Sequence, residues 1–154
     1  MNIRRYSAIG LLGLGLGACA TKPVMKSAAA QVEGPGITTT AFTVRGISAD
    51  AEYGYSEKKP ICVSDGKNIS AGGEYEYLKT LAGPNGETLR YRRLGHCCPF
   101  KTPRGMLDNT GLLDRYEVSW AGADKPVILY LNMYDPAPDR SAVPVPQGLT
   151  LKQP

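Results

Sequence analysis

The most chemistry in the least space lies in Leu94-Gly95-His96-Cys97-Cys98-Pro99-Phe100, where the only histidine of the chain stands beside two of its four cysteines. Imidazole and thiolate are what zinc or copper(I) accepts, so His96, Cys97, Cys98 and the distant Cys62 form a candidate ligand set. Their spacing argues against it, because common zinc templates separate paired cysteines by two to four residues so that both can turn toward one ion. Adjacent Cys and His also rarely meet in line as nucleophile and base, and no Cys-x-x-Cys pair is present. A structural disulfide from Cys62 to Cys97 or Cys98 is therefore favoured. It closes a loop of about 35 residues and contributes roughly 3–4 kcal/mol through chain entropy. A vicinal Cys97–Cys98 bridge is the strained alternative. No metal, cofactor or catalytic residue is expected.

The remaining polar residues make no recognisable catalytic set. Asp108, Asp114, Glu117, Asp124, Asp135 and Asp139 are scattered, although Asp114 and Tyr116 share one face if their segment is a strand. Phosphate-binding glycine loops, Ser-x-x-Lys, Gly-x-Ser-x-Gly and His-Glu-x-x-His are missing. Arg90 and Arg92 would lie on one strand face and Tyr91 with Arg93 on the other, as a solvated surface. That is too sparse for a phosphate-neutralising stripe, so nucleic acid is not an expected partner. The nine tyrosines are explained by a sheet core that leaves hydroxyls at its margin.

The elements that would position these residues follow from pattern. Thr38 to Val44 is β-branched and aromatic and predicts a first strand, and Ile61-Cys62-Val63 a short one. Tyr77, Leu78 and Leu81 recur at helical spacing behind Glu74 and Glu76, predicting one helix over Glu74 to Leu81. Gly83-Pro84-Asn85-Gly86 stops it. Thr88 to Gly95, Asp114 to Ala121 and Val127 to Met133 read as strands, with Gly122 to Pro126 joining the last two. Val127-Ile128-Leu129-Tyr130-Leu131 is apolar on both faces and belongs in the middle of a sheet. Five of the twelve prolines fall after Asp135, predicting an extended tail over residues 136–154. The fold class expected is a single α+β domain over residues 37–135, an antiparallel sheet of about five strands with one short helix, pinned by a Cys62 bridge.

Ahead of that domain, Arg4-Arg5 and an apolar run from Ala8 to Ala18 have the layout of an export signal. The run rises roughly 16 Å as a helix against about 30 Å of bilayer core, too short to remain as a span. Leu16-Gly17-Ala18-Cys19 resembles the bacterial lipobox. The resemblance implies cleavage after residue 18, acylation of Cys19, and a membrane partner reached through that lipid. Ala20 in place of an aspartate favours the outer membrane, facing the periplasm. Residues 19–36, rich in Ala, Lys, Ser, Gln and Gly, then serve as a flexible tether. Loss of Arg4 and Arg5 reduces 18 basic residues to 16 against 14 acidic ones, leaving a nearly balanced mature chain.

The segments Ala51-Glu52-Tyr53-Gly54-Tyr55-Ser56, Leu81-Ala82-Gly83-Pro84-Asn85-Gly86-Glu87, His96-Cys97-Cys98-Pro99-Phe100, Gly111-Leu112-Leu113-Asp114-Arg115-Tyr116-Glu117-Val118 and Leu129-Tyr130-Leu131-Asn132-Met133-Tyr134-Asp135 together resemble a family of small bacterial lipoproteins of uncharacterised function. Some of its members carry an automatic label, 2-dehydro-3-deoxyphosphooctonate aldolase. That enzyme is an eight-fold barrel needing roughly 250 residues and alternating strands and helices, which this pattern does not offer. The resemblance implies no catalytic residues. The function expected is a noncatalytic envelope or partner-binding role, the partner itself unspecified. A thiol redox or metal module on His96, Cys97, Cys98 and Cys62 is the second reading, and an enzyme of unknown class the third.

Overall fold

The computed structural model describes residues 36–39, 42–67, 69, 71–139 and 142–153. Residues 1–18, Cys19 and the tether up to residue 35 lie outside them. Within them the protein is mostly sheet with one short helix, as a small α+β domain.

Three strands make the frame: β5 (Arg90–Lys101), β6 (Thr110–Ser119) and β7 (Val127–Asn132), antiparallel in sequence, with β3 (Ile61–Cys62) parallel to the outer side of β7. The order β3-β7-β6-β5 puts β7 inside the sheet, where its two-sided apolar pattern belongs. β1 (Ile37–Thr38) and β2 (Thr43–Ile47) form a tight antiparallel pair. One continuous strand was expected there, but Thr39 turns the chain, its hydroxyl donating to the Phe42 carbonyl at 2.8 Å. α1 (Gly72–Lys79) starts two residues before the predicted helix and ends ahead of Leu81, which belongs to β4 (Leu81–Ala82). Gly72 and Gly73 open the helix rather than break the chain. A Cβ on Gly73 would meet the Val63 carbonyl, so glycine is what lets the helix approach β3.

The expected Pro-rich tail is instead part of the domain. β8 (Val143–Val145) lies parallel to β2, and β9 (Thr150–Leu151) pairs antiparallel with β4. The expectation of a wholly antiparallel sheet therefore fails at two pairings, β2 with β8 and β3 with β7. Proline is tolerated because β8 is the outer strand of its sheet, so a missing N–H on the far side costs no ladder bond. Val143, Val145 and Leu149 are buried in the same cluster as Val44, Ile61, Tyr77, Leu78, Tyr116, Leu129 and Leu131. Side chains tie this segment down as well. Tyr77 Oη donates to the Pro144 carbonyl at 2.6 Å, Tyr55 Oη to the Gln147 carbonyl at 2.6 Å, and Thr150 Oγ1 to the Gly83 carbonyl at 2.6 Å.

Two outcomes follow for the C-terminal segment. Leu149→Ala lowers the unfolding free energy by about 2–5 kcal/mol, the usual cost of a large apolar deletion in a core. A chain ending after Asp135 loses its cooperative thermal transition in circular dichroism, whereas a dispensable tail would leave the transition unchanged.

Candidate functional site

β5 is not a regular strand, and its irregularities assemble the site. In an unbroken strand residues 93 and 96, three apart, would point to opposite faces. The register with β6 shifts between Arg93 and Gly95, and Gly95 has φ 106°, which only glycine takes without strain. The extra residue reverses the alternation, so Arg93 and His96 both turn to Asp114. The guanidinium grips the carboxylate from two nitrogens, Nε to Oδ2 at 3.0 Å and Nη2 to Oδ1 at 2.8 Å. His96 Nδ1 lies 2.7 Å from Oδ1. Asp114 is fully buried while His96 is half-exposed at the sheet margin. The carboxylate holds Arg93 still more firmly protonated than a free guanidinium, against a smaller opposing effect of burial.

Behind Asp114 lies a second buried acid. Glu74, in the first turn of α1, is fully buried and accepts a hydrogen bond from Tyr116 Oη to Oε2 at 2.8 Å. Its other oxygen has no hydrogen-bond partner among the described residues. Burial pushes Glu74 up to about 8, with Asp114 adding to the rise and the Tyr116 hydroxyl and Arg93 opposing it. Near neutral pH folded Glu74 therefore keeps its proton. Tyr116 is driven well above its ordinary value by burial and by its bond to Glu74. Sequence pattern placed Glu74 as a helix-dipole partner at a helix start. What it could not show is that the helix lays this turn onto the sheet face shared by Asp114 and Tyr116.

The cysteines fall differently from the favoured pairing. Cys62 is in register with Asn132 on β7, and Cys97 with Leu113 on β6. Three inter-strand spacings separate Cys62 from Cys97, about 14 Å at roughly 4.8 Å each. A disulfide needs Cα atoms within about 7 Å, so the Cys62 bridge cannot form. Cys97 and Cys98 are bonded to each other instead. A second register shift, between Cys97 and Pro99, leaves Cys98 as the extra residue, with φ 52°. A left-handed conformation costs an L-residue roughly 1–2 kcal/mol, here imposed on Cys98 by the bulge. Cys62 is a free, half-buried thiol that accepts from Asn132 Nδ2 at 3.7 Å, and burial raises it to about 11, Asp135 adding to the shift.

Of the candidate ligands, His96 is committed to Asp114, Cys97 and Cys98 to one another, and Cys62 to the opposite side of the sheet. Among the described residues no three His, Cys, Asp or Glu side chains are placed to hold a metal ion. Cys98 borders an open groove of about 520 Å³, walled by Pro60, Pro99 and Phe100 with Glu57 and Lys58 at the rim. Phe100 is fixed there by an edge-on contact with Tyr134, the ring centres 5.8 Å apart.

The buried proton has a consequence for stability. Folded Glu74 keeps its proton up to about 8, while the unfolded side chain loses it near 4.5. Between those values the native state holds more protons than the unfolded one. Stability is therefore greatest at the acid end of that window and falls as pH rises, by at most about 1.4 kcal/mol per pH unit. Urea unfolding at pH 5, 6, 7 and 8 measures this slope, and Glu74→Gln, which donates without titrating, flattens it. No protein-family model, curated protein or solved structure matches this chain, so its function has to be read from these residues.

Proposed function

We propose that the chain is a lipid-anchored, periplasm-facing lipoprotein whose folded domain serves a noncatalytic, partner-binding role in the cell envelope. The observation that carries this is Leu16-Gly17-Ala18-Cys19 directly behind an apolar run too short to span a bilayer. Acyl chains on Cys19 contribute about 0.8 kcal/mol per buried methylene, enough to hold a small domain on a membrane when two or three are present. The stretch from Cys19 to Gly36 reaches at most about 60 Å, which leaves the domain room to meet partners above the lipid surface.

Binding rather than turnover is favoured by where the chemistry sits. Asp114 is spent on Arg93 and His96, and Glu74 on Tyr116, with each acid sealed beneath the sheet margin. What faces water is contact surface. Met106 and Leu107 are 80% and 79% exposed at the turn between β5 and β6, and Leu112 on β6 is exposed as well. Adjacent large apolar side chains left in water are more characteristic of an interface than of a free surface.

Cys19→Ser tests the anchor. The wild-type chain partitions into the membrane fraction, and the mass of its N-terminal peptide carries the acyl groups. The variant is recovered in the soluble envelope fraction with no such mass. A wild-type chain found in the cytosol with its leader attached and Cys19 unmodified overturns the proposal.

A further inference from the structure

We propose that the Cys97–Cys98 pair is a thiol–disulfide exchange site that accepts two electrons from a dithiol, with Cys98 Sγ the sulfur attacked from the open groove. This goes beyond the binding role above and holds whether or not Cys19 carries lipid. Three observations converge on it.

The first is access. Cys98 forms part of the groove wall and Cys97 does not, both being half-buried. A thiolate entering through the groove therefore meets Cys98 first. The second is the backbone. β5 is the outer strand of its sheet, and Cys98 is the surplus residue of a bulge held at positive φ. Opening the bond frees Cys98 to leave that conformation without breaking a ladder pairing, since the register on either side runs through Cys97 and Pro99. The third is isolation. Cys62, the other thiol among the described residues, lies three strands away under Asn132 and does not compete as an internal nucleophile.

The exchange balances in two steps. The first thiolate of the dithiol bonds to Cys98 Sγ as the Cys97–Cys98 bond breaks, and the electron pair leaves on Cys97, which takes up a proton. The second thiolate of the dithiol then attacks its own sulfur in the mixed disulfide and expels Cys98, which is protonated in turn. The partner departs as a disulfide, and the chain retains two thiols, two electrons and two protons.

The test uses the full chain in detergent micelles near pH 7. Native protein is treated with dithiothreitol, trapped with iodoacetamide before any denaturant is added, and mapped by peptide mass. Cys97 and Cys98 are expected to be alkylated within minutes while circular dichroism stays native, and Cys62 only after unfolding. In single variants, Cys98 of Cys97→Ser is expected to capture oxidised glutathione at least tenfold faster than Cys97 of Cys98→Ser. Alkylation of the pair only in step with loss of the native spectrum overturns the proposal, and equal or reversed capture rates overturn the assignment of Cys98. If either variant fails to fold, wild-type labelling still decides whether the pair exchanges, and mapping the mixed disulfide trapped on wild-type protein with a monothiol decides the sulfur: an adduct on Cys97 overturns the assignment of Cys98.

Discussion

A carboxylate with no access to water must be neutralised by what surrounds it, and Asp114 is where this protein meets that demand. Arg93 grips it from two nitrogens, His96 approaches at 2.7 Å, and the buried Glu74 of the helix feels its charge. Arg93 and His96 come from β5, Glu74 from α1 and Asp114 itself from β6, so one buried acid couples three elements. Removing a partner would strand a buried charge, a loss of several kcal/mol, whereas the intact set roughly offsets its own desolvation. Its contribution is thus to fix arrangement more than to add stability. Only one register of β5 on β6 brings both Arg93 and His96 to the same carboxylate.

That register has a further effect along β5. The Gly95 bulge turns His96 inward, and the Cys98 bulge reverses the alternation again three residues later. Cys97 lies between the two bulges, and Cys98, the surplus residue of the second, lines the groove. A regular strand would have pointed adjacent cysteines to opposite faces and kept them unpaired. Irregular β5 is also a poor template for edge pairing. Its arginines, its proline and its two bulges are the devices by which outer strands avoid adding a foreign strand.

Much of the frame was legible in residue pattern. The interior position of β7 follows from its two-sided apolar run, and the shared face of Asp114 and Tyr116 from simple alternation, both side chains being fully buried. The helix follows from Tyr77 and Leu78. The rest was hidden for physical reasons. Pro144 and Pro146 read as strand breakers because pattern does not reveal that β8 is an outer strand. A bulge is a single inserted residue that leaves no periodic trace, so the expected Cys62 bridge gave way to pairing of neighbours. Glu74 resembled any acid at a helix start until the helix was docked against β3 through Gly73.

The proton that burial keeps on Glu74 is the tightest constraint in this account, and carboxyl-carbon NMR observes it directly. With glutamate side chains labelled at the carboxyl carbon, one resonance is expected to stay in its protonated position through neutral pH and titrate at about 8, and to vanish in Glu74→Gln. If every glutamate of the folded protein instead titrates in the ordinary range of about 4 to 5, Glu74 is not protonated and the junction described here is wrong.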